Sequence, residues 1–563
     1  MSSALWIVRP PSTAAHRLAA ELGIPLPIAR VLANRGVGEP EAARLFLYGT
    51  PDQFHDPYLM KGMKEAVERI ERAVERKERV LIFGDYDVDG VLSVVMLHRA
   101  LTSLGAEADY FIPERLADGY GIKEHHAGIV AEKNCSLVIS VDCGIKAVEF
   151  TEKVRRSGID VIITDHHMPG DALPQATAII DPVLEDSGYP YRQLAGVGVV
   201  FKLIQALLEK RGRQDSVSHY LKLVCIGTVA DVVELKGENR LFVKHGLKGL
   251  ESVSNIGLKS LIEACGINGR AVSEADLGFR LGPRINAAGR MGLTELAVQL
   301  FFSKSVEESQ ALVKRLDELN YRRQRTEEKI FEQAREKIQA RSLDERYRCL
   351  VLGSEQWHRG VIGIVASKLK DLFHRPVILF AYEGDLAHGS GRSISDVPLI
   401  DLLDSCRDLF LSYGGHRYAV GCTLPLERMA EFKSAINAAA DRAIPDESLV
   451  RKLQIDSPLP FGGIDEAFLD NYGLLLPFGV GNPKPVFLAE SVEVAGEPLL
   501  MNGKHLKFLA RNDGRVFEVL GWDKAALKQK IGRGSVLDLA YSVHMSEYLG
   551  ESRVSLVIED LKP

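Results

Sequence analysis

Asp85, Asp87 and Asp89 fall within five residues, in the run Asp85-Tyr-Asp87-Val-Asp89-Gly90. They follow the apolar run Val80–Phe83 and precede a helical pattern that starts near Val91. Carboxylates set this closely form either a solvated turn or a site that shares a cation. The pattern DxDxDG also opens a calcium loop of the EF-hand type. The glutamate such a loop needs at its twelfth position is Met96 here, which removes that reading. Two more apolar runs end in acids, LVISV in Asp142 and VIIT in Asp165, His166 and His167. As strands of one parallel sheet, all three runs would end at the edge where such sheets bind ligands. Asp85, Asp87, Asp89, Asp142, Asp165 and His166 would then converge, and carboxylates so crowded repel one another unless cations neutralise them. Asp231, ending the run VCIGTVA, completes enough ligands for two divalent ions sharing a bridging carboxylate. Oxygen-rich ligation with one imidazole suits Mn²⁺ or Mg²⁺ better than zinc.

Other motifs weigh differently. His125-His126 also stands beside an acid, Glu124, but in a helical context, where a packed histidine is the better expectation. Gly196-Val-Gly198 lacks the third glycine of a dinucleotide fingerprint, and no Walker A sequence is present. Arg280, Arg284, Asn286 and Arg290 form a basic, glycine-punctuated segment suited to backbone phosphates, with a solvated loop as the plain alternative. His358, Ser390, Arg392 and His416 sit among glycines, where backbone N–H groups can approach an anion. A buried, satisfied histidine is the alternative for His416.

The elements that must hold these residues follow from length and pattern. At roughly 150 residues per domain, 563 residues make three to four domains. Hydrophobic residues at 46% and charged residues at 26% describe a soluble globular protein and exclude a fibrous or largely disordered one. The net charge of −6 does not advertise a nucleic-acid binder, so any anionic ligand must meet a local patch or metal ions. No signal peptide, membrane span or CxxC spacing is visible, and the seven scattered cysteines argue against disulfides; a cytoplasmic protein is expected. Residues 1–60 read as a helical accessory segment. An α/β pattern over 61–302 predicts a doubly wound parallel sheet. Leu312, Leu316 and Leu319 mark one face of a long connecting helix over 303–345. A second α/β pattern fills 346–445, and strand-like runs over 446–563 predict a small antiparallel barrel. In that barrel Phe508, Phe517, Trp522, Tyr541 and Tyr548 alternate with Lys504, Lys507 and Arg511, a pattern that either stacks single strands or fills a core.

Taken in order, GDYDVDG, VDCG, the strand-ending DHH and GTVADVV resemble the motifs of the DHH phosphoesterases. LAGVGVVFKL, LGPRINAAGRMG, WHRGVIGIVAS, GSGRSI, GGHRYAVG and PFGVGNPKPVF extend the resemblance over nearly the whole chain, to the bacterial single-strand-specific exonucleases of that superfamily. The resemblance implies a DHH domain, a long helix, a DHHA1 domain and an OB-fold. It implies 5′-to-3′ hydrolysis of single-stranded DNA to 5′-mononucleotides with two Mn²⁺ or Mg²⁺ ions, in repair and recombination. A helicase and a single-strand-binding protein are the partners it suggests, and a monomer is expected. Departures from the pattern are Phe83, where some relatives place a metal-binding His, Leu92 for a common Thr, and Val420 for Ala.

With two ions about 3.5–4 Å apart, Asp87 and Asp142 are assigned to one, and Asp89, Asp142, His166 and Asp231 to the other. Asp85 or water completes the first site in place of a residue-83 imidazole. Asp165 and His167 orient ligands or touch the phosphate. His416 serves the scissile or a neighbouring phosphate, and Ser390 and Arg392 hold a terminal 5′-phosphate. Two rival readings remain: a DHH phosphodiesterase of short oligonucleotides or cyclic dinucleotides, and a non-catalytic DNA-binding scaffold. Digestion of a long single strand compared with a dinucleotide separates the first; the nearly complete set of acidic motifs disfavours the second.

Overall fold

The computed structural model describes residues 4–114, 119, 121–267, 269–548 and 551–562. The chain forms two compact units. One comprises Trp6–Asn286, Thr294–Val313 and Gln454–Pro563; the other comprises Met1–Leu5, Ala287–Leu293 and Lys314–Leu453.

The first unit is built on a parallel sheet whose strands among the described residues are Arg79–Gly84, Glu107–Phe111, Leu137–Val141, Asp160–Thr164 and Ala178–Ile180. The first strand lies between the second and third, and the fourth and fifth follow outward. This order reverses between the first and third strands, the point at which doubly wound sheets bind ligands. LVISV is buried at every position, as expected of a strand covered on both faces.

The barrel of the first unit closes on itself because Phe487–Val494 pairs with both Val536–Tyr548 and His505–Asn512. It is not wholly antiparallel as expected: Arg515–Gly521 pairs parallel with Glu551–Lys562, since closure joins strands that do not follow one another in sequence. Three helices of the first 60 residues, Thr13–Leu22, Leu26–Asn34 and Pro40–Tyr48, share the barrel's core. Leu18, Ile28, Leu32 and Phe46 belong to one cluster with Phe461, Phe468, Phe487 and Tyr541. A short strand, Leu5–Val8, precedes them, which a helical reading of this segment misses. Beside that core Arg240 is fully buried, and its guanidinium donates to the carbonyls of Phe46, Leu474, Leu475, Leu476 and Pro477 at 2.8–3.3 Å. It thereby ties the helix Gly237–Gly249 to the N-terminal helices and to the end of the helix Glu466–Leu474.

In the second unit, a five-stranded mixed sheet orders Ser412–His416, Ala419–Pro425, Leu386–Arg392, Val377–Glu383 and Leu350–Ser354. The helix Ile362–Phe373 packs on it. The long charged stretch is a helix, Val306–Ala340, whose residues from Lys314 onward belong to this unit. All seven cysteines are buried and free, and among the described residues no helix is long and apolar enough to cross a membrane.

Candidate metal centre and anion-binding residues

The loop after the first strand is organised by helix capping. Asp87 is the N-cap of the helix Val88–Ser103, and its Oδ1 accepts the N–H groups of Asp89 at 2.9 Å and Gly90 at 3.2 Å. Asp89 points away from its own helix terminus to another. Its two carboxylate oxygens accept N–H groups from Gly196 and Val197, both at 2.7 Å, at the start of the helix Gly196–Lys210. A side chain at 196 would not fit, because a Cβ there would lie 2.6 Å from Asp142 Oδ1. The first glycine of the pair that fails a dinucleotide test thus serves a carboxylate.

Four chain segments meet on one imidazole nitrogen. His166 Nε2 lies 3.1 Å from Asp142 Oδ1, 3.7 Å from Asp231 Oδ2 and 3.9 Å from Asp89 Oδ2. Ligand atoms of Asp89, His166 and Asp231 lie within 4.8 Å of one another, and so do those of Asp85, Asp87 and Asp142. His167 forms a third such group with Asp142 and His166. Asp231 ends the helix Leu221–Ala230, so its apolar run is helical. Two residues beside the cluster hold left-handed backbone: Asp142 at φ 60° and the β-branched Val232 at φ 65°, a strain tolerated where surrounding packing enforces it.

The electrostatics favour cations. Burial, then the charge of Asp87, pushes the Asp89 carboxyl up to about 7 despite its two N–H donors. Burial and the surrounding carboxylates push Asp142 and Asp231 well above the usual range. Asp142 Oδ1 and Asp231 Oδ2 are buried and accept no hydrogen bond among the described residues. Such oxygens, facing a ring nitrogen at hard-ligand distances, fit divalent ions.

Asp165 works behind this group. Its Oδ1 accepts the His166 and His167 N–H groups at 2.8 and 3.2 Å and faces His167 Nδ1 at 2.7 Å, while Oδ2 accepts the Ile145 N–H at 2.9 Å. Burial is the largest single influence and opposes ionisation of this pair, but the hydrogen bond between them and the surrounding charges together outweigh it, lowering the Asp165 pKa and raising that of His167. One acid escaped the sequence reading. Asp181 follows the fifth strand, is buried, and is pushed up to about 7 chiefly by burial. Its preceding run, AII, is too short to stand out as a strand.

Phe83 is fully buried, with its ring 5.2–5.8 Å from Phe111, His126 and Phe150. His126 is buried beside it and accepts the Lys123 N–H at Nδ1, a packed histidine. Arg280, Arg284 and Asn286 belong to continuous helix: a π-helical turn, Leu277–Leu281, followed by Gly282–Arg290. Arg280 reaches Asp276 and the Cys265 carbonyl, Arg284 the Arg280 carbonyl, and Asn286 Oδ1 accepts the Val88 N–H at 3.2 Å.

In the second unit Arg290 donates to the Gly360 carbonyl at 3.1 Å, and His358 Nδ1 accepts the Gly360 N–H. This turn leads into the helix Ile362–Phe373. A Cβ at Gly363 would lie 2.8 Å from Ser390 Oγ and 3.3 Å from Arg392 Nη2, so both side chains line the first turn of that helix. His416, Ala419 and Arg392 are level across adjacent strands, which sets the His416 and Arg392 backbones about 10 Å apart. Val420 packs against Gly391. In the barrel, Phe508 and Tyr541 are core, Phe517 is half-buried against Phe461, and Trp522 is 52% exposed beside His505. The Tyr548 side chain lies outside the described residues.

Known proteins share this arrangement. Models of the DHH family N-terminal domain, the DHHA1 domain and the RecJ OB domain match residues 79–228, 346–441 and 455–560. The chain is 37% identical to the Bacillus subtilis single-stranded-DNA-specific exonuclease RecJ, over 98% of this chain and 70% of that one. It is 33% identical to the Escherichia coli enzyme of the same name, over 97% of both. The chain belongs to the RecJ family. The crystal structure of Thermus thermophilus RecJ in complex with Mn²⁺ matches 99% of this chain and 79% of that one, with a TM-score of 0.84 at 31% identity. A RecJ structure with Mg²⁺ from the same source has a TM-score of 0.77. The fold is therefore that of RecJ: a parallel-sheet DHH domain, a DHHA1 domain and an OB barrel.

Proposed function

We propose that this chain is a single-stranded-DNA-specific exonuclease that hydrolyses phosphodiester bonds from the 5′ end and releases 5′-mononucleotides. The carrying observation is the convergence of Asp89, Asp142 and Asp231 on His166 Nε2 in a chain that matches RecJ exonucleases over 97–98% of its own length. Asp85, Asp87 and Asp142 would hold one divalent cation, and Asp89, Asp142, His166 and Asp231 the other. When bound, Mn²⁺ or Mg²⁺ supplies Lewis-acid activation of water and neutralises charge on the phosphate.

The remaining work falls to the chain. Asp89 is aimed by two helix N–H groups, and Asp165 fixes both histidines. His167, paired through Nδ1 with Asp165, which raises its pKa, would in its protonated form offer the Nε2 proton to an oxygen of the reacting phosphate. Ser390, Arg392 and the first turn of the helix Ile362–Phe373 form an anion site suited to a terminal 5′-phosphate, with His358 and His416 on neighbouring phosphate positions. Arg280, Arg284 and Arg290 are the residues of that segment assigned to the DNA backbone. Helicase and single-strand-binding-protein partners, a monomeric state and a cytoplasmic location complete this reading; the buried free thiols are compatible with a reducing compartment.

The deciding experiment incubates the protein and Mn²⁺ with 5′- and 3′-labelled single strands and with a dinucleotide. Rapid loss of the 5′ label as mononucleotide supports the proposal. Exclusive turnover of the dinucleotide selects the oligonucleotide phosphodiesterase instead. Trp522 gives a second check. Trp522→Ala should weaken single-strand binding by about 1–3 kcal/mol, the usual loss for one stacking platform. Phe508→Ala and Tyr541→Ala should lower the melting temperature instead, because those rings fill the core. Unchanged fluorescence-anisotropy titrations for Trp522→Ala would remove it from the binding face.

A further inference from the structure

The helix Val88–Ser103 begins inside the acidic loop, so its first N–H groups lie among the carboxylates assigned to metal. Each has an acceptor. Asp87 Oδ1 takes the N–H groups of Asp89 and Gly90, and the Asp87 carbonyl takes that of Val91 at 2.9 Å. The N–H of Val88, between Asp87 and Asp89, is taken from outside by Asn286 Oδ1 at 3.2 Å. Asn286 lies 198 positions away in sequence, in the helix Gly282–Arg290, and is half-buried.

From this geometry we infer that Asn286 is a positioning residue for the metal loop, in place of the DNA contact its surroundings in sequence suggest. Its amide supplies the one missing cap. Without it, the Val88 N–H loses this acceptor and is left to compete for the adjoining Asp87 carboxylate, one oxygen of which already serves two N–H groups. Engaging the other would withdraw Asp87 from the cation. An amide also accepts without adding charge to a site that already gathers Asp85, Asp87, Asp89, Asp142 and Asp231.

The inference rests on the two-cation reading, and the test separates the two. Mn²⁺ binding is measured by calorimetry on the full chain without DNA, and single-strand affinity by anisotropy at saturating Mn²⁺. Asn286→Ala should weaken Mn²⁺ binding about 10–100-fold, the range for loss of an outer partner of a ligand, while single-strand affinity at saturating Mn²⁺ stays within about twofold. Asn286→Asp keeps the acceptor and should restore Mn²⁺ affinity to at least that of the wild type. Unchanged Mn²⁺ affinity in Asn286→Ala with weakened strand binding overturns the inference and returns Asn286 to the DNA. Failure of Asp to rescue also overturns it. A wild-type protein that takes up no Mn²⁺ overturns the cation assignment itself.

Discussion

Asp142→Asn is expected to abolish strand cleavage while leaving the chain folded and able to bind single strands. Asp142 is the carboxylate assigned to both proposed cations, grouped with Asp85 and Asp87 and lying 3.1 Å from His166 Nε2, so its loss should cost far more than the roughly 10–100-fold typical of a residue that only orients a ligand. The sheet does not need it, since the strand before it is held by LVISV. The metal-free protein should even gain. Asp89, Asp142 and Asp231 all have folded-state pKa values raised above the ordinary carboxylate range. Between about pH 4 and, for Asp89, about 7, the folded protein therefore binds more protons than the unfolded one, and its stability falls as pH rises through that window. Asparagine removes one of the repelling charges. Without metal the variant should melt above the wild type at pH 8, with the difference closing toward pH 4. Scanning calorimetry at the two pH values, with turnover at saturating Mn²⁺, checks both halves. Substantial residual turnover would falsify the bridging role.

Arg392→Ala is expected to slow digestion of 5′-phosphorylated strands by roughly 10–100-fold, from the 1.5–3 kcal/mol of a hydrogen bond to a charged group. Strands ending in a 5′-hydroxyl should lose much less. The guanidinium is held against Ser390 Oγ and the Gly391 carbonyl beside a helix start, so its removal deletes charge without opening a core. A metal centre alone does not choose an end; a site that recognises the terminal phosphate does. Equal losses on both substrates would assign Arg392 to an internal phosphate.

Much of this was legible in the sequence, for reasons that differ by residue. Asp85, Asp87, Asp89, Asp142 and His166 could be grouped because strand ends in a parallel sheet share an edge, and the apolar runs before them mark the strands. The holders of these ligands were not legible. Nothing in Ala195-Gly196-Val197 announces that its N–H groups serve Asp89, since that depends on where one helix starts relative to another. Asn286 reads as a DNA contact among arginines until its distance to Val88 is known. The barrel aromatics alternate with basic residues whichever way the strands face, so pattern alone could not separate buried Phe508 and Tyr541 from exposed Trp522. An apolar stripe shows that the N-terminal helices must bury a face. It does not name the barrel, more than 400 residues later, as the cover.

That shared core sets a timetable for synthesis. Ala15, Leu18, Ile28, Leu32 and Leu47 leave the ribosome early, but the residues that cover them run from Leu459 to Leu561. At about 5–20 residues per second, the roughly 400 intervening residues delay closure by about 20–80 s. Over that interval the first helices and the guanidinium of Arg240 lack their final partners, whereas Lys314–Leu453 has already been made and carries a core of its own. The nascent chain should therefore depend on chaperone protection at its beginning. Nascent chains stalled before residue 459 should be cleaved by protease within the first 50 residues.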